Sequence, residues 1–188
     1  MGRWEPDARG RLERAALDLF SERGYDETIV ADIAERAGLT KRTFFRYFPD
    51  KREVLFSGEK VLEELFTEGV RAAPASAAPL DAVAAGLENL APLFEERREL
   101  VIQRQRIVVS NPELQERTLI KMASLTRAVA EALHRRGVGE PTASLTAEAG
   151  VSVFRVAFAR WVDPANRRPL SDLMRESLEE LRAVAAAR

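Results

Sequence analysis

The chain has 188 residues, 46% of them apolar, enough to fill the core of one large domain or two small ones without staples. Its 29 Lys and Arg nearly balance 30 Asp and Glu, so a net charge near -1 gives no global pull toward nucleic acid or anionic membrane, and any electrostatic targeting must be local. With no Cys there are no disulfides, thiolate nucleophiles or Cys-type zinc sites, and neither a signal-type apolar run nor the roughly 18 apolar residues of a membrane span appears, so the chain reads as soluble and cytoplasmic.

Leu12, Ala15, Ala16, Leu19 and Phe20 recur at i, i+3, i+4, i+7 and i+8, which predicts a helix over 6–23 stopped by Gly24. The same spacing through Val30, Ile33, Ala34 and Ala37 predicts a short helix over 28–37, after which Gly38 supplies the positive φ of a sharp turn. Thr40 then caps a third helix over 41–48. Pro49 ends it, and Asp50 caps a long fourth helix over 51–71 carrying Val54, Leu55, Val61, Leu62, Leu65 and Phe66.

"RAAPASAAP", 71–79, breaks the periodicity and is expected to be the main internal boundary. Beyond it Leu80, Val83, Leu87, Leu90 and Phe94 form one stripe, which Pro92 should kink or end. A shorter helix over 100–108 follows. Asn111 caps another with Pro112 at its first position, running through Leu114, Met122, Leu125, Val129 and Leu133 to Gly137. Helices over 143–162 and 171–186, the latter capped by Ser171, complete about nine, with no strand signal, so the fold class is all-α.

The stretch "AGVSVFRVAFARWV" is apolar nearly all round, so its helix must be covered on several sides. Either a monomeric bundle or a second copy of the chain can do this. The inference taken is a homodimer with a four-helix interface through Val151, Arg155, Val162, Leu173, Met174, Leu178 and Leu181.

Residues 30–48 have the parts of a helix-turn-helix: small Ala34 where two helices cross, Gly38 in the turn, and Phe44 as an inward plug. Between 38 and 52 stand five cations (Lys41, Arg42, Arg46, Lys51, Arg52) and one anion (Asp50), whereas residues 1–60 hold 12 of each sign. Lys41, Arg42, Phe45 and Arg46 share one side of the third helix, opposite Phe44 and Phe48. A merely solvated charged face would leave Phe45 exposed without reason, while an aromatic in a major groove can touch thymine methyls and sugar edges.

"RLERAALDLFSERGYDETIVADIAERAGLTKRTFFRYFPDKREVLF" resembles the DNA-binding region of the tetracycline-repressor (TetR) family, with "LFSERGY", "DIAERAGLT", Tyr-Phe and an acidic-Lys pair in family order over about residues 9–56. The resemblance implies a helix-turn-helix domain over 1–50, a connecting fourth helix, and a C-terminal ligand-binding and dimerisation domain over 72–188. It further implies that Thr40 caps the recognition helix and touches phosphate, that Lys41, Arg42, Thr43, Phe45 and Arg46 face the major groove, that Tyr47 and Lys51 hold backbone phosphates, and that Arg9 serves as an arm toward the backbone or minor groove. Ile29 departs from the family's usual Thr or Ser at the start of helix two, and Thr28 is the alternative cap.

The same resemblance implies a palindromic double-stranded DNA operator, repression as the commoner habit, and a small, largely apolar effector, aromatic or acyl. Leu87, Phe94, Met122, Phe154, Phe158 and Trp161 are candidates to line its pocket, with Gln103, Gln105 or Arg106 as polar anchors; apolar residues at helical spacing are more often plain core than pocket. A helical-bundle carrier or a helix-turn-helix adaptor without DNA selectivity are the other readings. An enzyme is not expected, because no nucleophile-base set appears. No metal or other cofactor is expected: His134, the lone histidine, sits at a helix end where the dipole favours it, and Glu95-Glu96 and Glu179-Glu180 read as solvated faces.

Overall fold

The computed structural model describes residues 7–186, and the expected helix start at residue 6 lies outside them. All regular structure among the described residues is helical. In chain order the helices are α1 (Ala8–Arg23), α2 (Val30–Arg36), α3 (Lys41–Tyr47), α4 (Lys51–Leu55), α5 (Glu59–Ala72), α6 (Pro79–Glu95), α7 (Arg98–Val109), α8 (Pro112–Arg135), α9 (Thr142–Trp161) and α10 (Leu170–Ala186). The stops and caps expected at Gly24, Gly38, Thr40, Asp50, Asn111 and Gly137 are in place: the glycines take φ of 88°, 65° and 87°, and the other three side chains accept backbone N–H groups of the helices they precede.

The expected long fourth helix is two helices, α4 and α5, separated at Phe56-Ser57-Gly58. The apolar spacing continues through the break, so periodicity alone does not reveal it. What ends α4 is supplied from elsewhere: the Arg104 guanidinium donates to the Leu55 carbonyl and Arg9 Nη2 to the Ser57 carbonyl at 2.7 Å, so carbonyls freed at the break are bonded. At Pro92 the expected helix end comes a turn late. The proline falls in the last turn of α6, where the missing amide costs one hydrogen bond and the helix continues to Glu95.

The chain forms two compact units. Among the described residues, one comprises 7–58 together with Ile102–Glu116; the other comprises Glu59–Val101 and 117–186. The packing boundary therefore falls at Gly58, not in the 71–79 loop, which joins two helices of the same unit. The first unit packs Leu12, Ala16, Leu19, Phe20, Ile33, Phe44, Phe48, Val54 and Leu55 into one core, and Ile107, Val108 and Leu114 are buried in that same core.

In the second unit α5, α6, α9 and α10 surround Phe66, Val70, Val83, Leu90, Phe154 and Trp161. Three glycines let helices approach closely. A Cβ on Gly69 would stand 2.7 Å from the Ala85 carbonyl oxygen and from Gly86 Cα, one on Gly86 would stand 2.4 Å from the Phe66 ring, and one on Gly150 would stand 2.3 Å from Val83 Cγ1. Glu95, read from sequence as solvated, caps instead: its Oε1 accepts from the Leu170 amide at 2.6 Å and from Trp161 Nε1 at 3.1 Å. That carboxylate takes the place expected of Ser171, which lies inside α10.

Candidate nucleic-acid interface

Helices α2 and α3 meet through a turn in which the Gly38 amide donates to the Glu35 carbonyl and the Leu39 amide to the Ala34 carbonyl, both at 2.8 Å. Arg11 reaches from α1 to donate to the Ala37 carbonyl, and a Cβ at position 38 would lie 2.9 Å from its guanidinium. Gly38 is required by its φ of 65°, whereas the guanidinium beside it is the far end of a flexible side chain and could move aside. On α3 the Thr40 hydroxyl accepts the Thr43 amide at 3.1 Å and lies 3.0 Å from the Thr43 hydroxyl, so these two residues cap the helix as a pair.

The two adjacent phenylalanines take opposite sides. Phe44 is fully buried against Phe48, while Phe45 is 55% exposed. Beside Phe45 the outward side carries Lys41 and Arg42, both exposed and without an ion-pair or hydrogen-bond partner among the described residues. Arg46 and Tyr47 are also exposed but engaged with each other: the guanidinium stacks 4.9 Å from the ring centroid and donates to the hydroxyl at 3.2 Å. Two free cations, one exposed aromatic and a preorganised Arg-Tyr pair therefore lie on a rigid helix with a dry underside. That surface suits a polyanion with an apolar component in its groove.

Other residues expected at this interface are occupied within the chain. Lys51 Nζ donates to the carbonyls of Tyr25, Asp26 and Thr28 at 2.7, 3.1 and 2.9 Å, and lies 4.4 Å from the Tyr25 ring centroid. Arg9 is not an extended arm: besides Ser57 it pairs with Glu13 at 3.1 Å and lies over the Phe48 ring. Thr28 does not cap α2. Its buried hydroxyl donates back to the Gly24 carbonyl at 2.8 Å, leaving Ile29 as an exposed cap residue with no side-chain bond.

Around Lys51 an open cleft of about 320 Å³ is lined by Tyr25, Asp26, Asp50, Arg52 and Glu113. Burial pushes the Tyr25 phenol up to about 12, with Glu113 adding to the rise, so it stays protonated. Burial also works to raise the Asp50 carboxyl. The Arg52 guanidinium at 3.1 Å and the amides of Arg52 and Glu53 outweigh it and hold the group below the usual carboxylate value.

The residues considered for an effector pocket are divided between the two units. Phe94, Phe154, Phe158 and Trp161 form a ring cluster in the second unit with centroids 5.5–6.1 Å apart, where Trp161 is fully buried beneath the Arg98 guanidinium. Leu87 is core, and Phe94, Met122 and Phe158 keep partial exposure. Gln103, Gln105 and Arg106 belong to the other unit, where Gln103 Nε2 donates to the Ser21 hydroxyl at 3.1 Å.

The residues considered for a dimer interface also divide. Val151, Leu173, Met174 and Leu178 are buried in the chain's own core, a correction that follows because an apolar stripe marks a covered face without naming its cover. Arg155 is exposed, and Val162 and Leu181 are half-buried. The exposed stripe of α9 is one step away, at Leu145, Ser152, Val156 and Ala159. His134, expected simply to face the end of its helix, has Nδ1 2.9 Å from the Val138 carbonyl and Nε2 2.8 Å from Glu140 Oε1, within the connection from α8 to α9.

An all-α chain whose first unit presents a capped, cationic recognition helix is a helix-turn-helix protein of the regulator type. Residues 13–57 match the model for bacterial regulatory proteins of the tetR family, and residues 77–186 match the MftR C-terminal domain. The chain belongs to the TetR family, with a C-terminal region of the MftR kind. It is 40% identical over 75 residues to the HTH-type transcriptional regulator TcmR of Streptomyces glaucescens, a match covering 40% of this chain but only a third (33%) of TcmR. To MftR of Mycobacterium tuberculosis, named for mycofactocin biosynthesis, it is 27% identical over 143 residues, 76% of this chain and 72% of that one. The structure resembles that of Thermus thermophilus FadR, a TetR-family repressor in complex with lauroyl-CoA, with a TM-score of 0.60 and 26% identity over 96% of both chains.

Proposed function

We propose that this protein is a sequence-specific DNA-binding transcriptional regulator that acts as a homodimer and is released from its operator by an acyl thioester. The observation that carries the DNA reading is the outward side of α3, where Lys41 and Arg42 have no partner among the described residues and stand beside the exposed ring of Phe45. Arg42 is the candidate base reader, since an unpaired guanidinium can donate two parallel bonds to guanine O6 and N7. Arg46 with Tyr47, and Thr40 with Thr43, are the phosphate-side contacts.

Dimerisation is assigned to the outward stripe of α9, Leu145, Ser152, Val156 and Ala159 with Arg155, which leaves the buried residues of α10 in the core. The effector class rests on the likeness to the lauroyl-CoA-bound repressor and on the partly exposed apolar residues Leu62, Leu65, Phe94, Met122 and Phe158 that flank the second unit's core. No helix among the described residues is long and apolar enough to cross a membrane, in keeping with action on DNA in the cytoplasm.

The test is fluorescence anisotropy with duplex from the region upstream of the protein's own gene, over a salt series. Selective binding with a steep salt slope, weakened by lauroyl-CoA but not by free CoA, is the expected result. Binding equal to that of random duplex would refute the regulator reading, and selective binding indifferent to every acyl-CoA would refute the effector alone.

A further inference from the structure

Given the DNA-binding reading of α3, on which this rests, we infer that Phe45 determines specificity by reading the C5-methyl group of a thymine in the major groove, which makes operator affinity sensitive to cytosine methylation at that position. Phe45 is 55% exposed, whereas its neighbour Phe44 is fully buried. The two rings meet with centroids 5.5 Å apart and planes at 84°, so the outward ring is braced edgewise against one fixed in the core. An apolar group is thereby held firmly at the surface, in the middle of a cationic patch.

What stands opposite this ring follows from the groups that DNA offers. Lys41 and Arg42, four and three residues earlier on the same helix, share the patch with Phe45 and draw it onto the duplex. A phosphate oxygen set against the ring would lose hydration and gain no hydrogen bond in return. The base edges of the major groove present donors, acceptors and a single apolar group, the thymine C5-methyl. Sugar C–H edges are apolar too, but they are alike at every position and carry no choice of sequence.

The rest of the helix narrows the code. Its sequence, "KRTFFRY", holds no Asn or Gln for the paired bonds to adenine and no Asp or Glu to accept from cytosine. The Thr43 hydroxyl already lies 3.0 Å from that of Thr40, within the cap. Guanine is therefore left to Arg42, and an adenine–thymine pair is recognised from α3 through its methyl group. Cytosine carries a hydrogen where thymine carries that methyl, and 5-methylcytosine restores it at the same place. The ring that favours thymine thus also favours a methylated cytosine over a plain one.

The experiment uses full-length protein and a duplex enriched by the wild type from a random-sequence pool. Each thymine of one half-site is exchanged in turn for deoxyuridine, which lacks only the methyl, and the wild type and Phe45→Ala are titrated against every duplex. The expected result is a thymine at which the exchange weakens the wild type about fourfold, the effect of one buried methyl, and leaves Phe45→Ala unaffected. A C·G pair at that position weakens the wild type, and 5-methylcytosine in the pair recovers about the same fourfold. The absence of any deoxyuridine-sensitive thymine, the full effect persisting in Phe45→Ala, or 5-methylcytosine binding no better than cytosine would each overturn the inference. Should the variant fail to fold, the wild type still decides: nuclear Overhauser contacts from the Phe45 ring to a thymine methyl support the assignment, and contacts to sugar protons alone refute it. A wild type that enriches no duplex would instead refute the DNA-binding reading itself.

Discussion

Gly69→Ala is expected to destabilise the protein by about 1–2 kcal/mol, although alanine is the better helix former. Two effects oppose each other at this position. Replacing a glycine inside a helix by alanine is worth about 0.5–1 kcal/mol through the narrower unfolded ensemble. Against it, the added Cβ would lie 2.7 Å from the Ala85 carbonyl oxygen and the Gly86 Cα, so α5 and α6 must part by about 0.7 Å to restore an ordinary 3.4 Å contact. Both obstructing atoms are backbone, so no rotamer change relieves them, and overpacking of this kind typically costs about 1–3 kcal/mol. The steric effect wins.

Gly86→Ala meets the Phe66 ring at 2.4 Å and the Phe66 carbonyl at 2.8 Å and should behave alike; Gly150→Ala meets only one Val83 methyl and should cost least of the three. Gly58→Ala is the control, because nothing lies within 4 Å of the added carbon and φ is not positive. Urea denaturation of the four variants beside the wild type gives the ranking. Gly69→Ala as stable as Gly58→Ala would show that the helices do not cross as closely as these contacts require.

Three further outcomes follow from the first unit. Arg42→Ala should cost about 1–3 kcal/mol on operator and much less on random duplex, and equal losses on the two in anisotropy titrations would remove Arg42 from base reading. Tyr47→Phe, which takes away the hydroxyl that accepts from Arg46, should weaken operator and random DNA by similar factors; a loss confined to operator would mark the pair as base readers instead. Asp50 has a folded-state pKa lowered from 3.8, so its stabilising contribution is complete above about that pH and is lost as pH falls through the lowered value. Asp50→Asn keeps a capping oxygen but no charge, so its melting temperature should fall less steeply than the wild type's between pH 5 and pH 2, and superimposable acid limbs would refute the assignment.

The N-terminal helices were legible because local chemistry determines them: Gly24, Gly38, Thr40 and Asp50 act on residues within a turn of themselves, and the opposite fates of Phe44 and Phe45 follow from a period of 3.6. What escaped the sequence depends on distant partners. Lys51 reads as a free cation until the carbonyls of residues 25, 26 and 28 are seen around it, and those carbonyls belong to every residue type alike. Glu95 reads as solvated until Leu170, far along the chain, presents its amide. The break after α4 is invisible to periodicity because Val54, Leu55, Leu62, Leu65 and Phe66 keep helical spacing while the first two pack into one core and the last three into another. For the same reason the stripes of α9 and α10 show that faces are covered but not by what, and Val151, Leu173, Met174 and Leu178, which fit a subunit contact equally well by spacing, are buried in the chain's own core.

The burial of Ile107, Val108 and Leu114 among the residues of the helix-turn-helix unit bears on how such a protein can be recombined. A fragment ending near Gly58 would carry the recognition helix but leave an open apolar socket where three side chains belong, inviting aggregation. A chimaera that grafts this reading head onto a relative's effector domain needs two junctions, one near Gly58 and a second bracketing residues 102–116. Inheritance by a single crossover would separate the socket from its plug, so the two units of this chain are modular in sequence only to first approximation and must be exchanged as an interleaved pair.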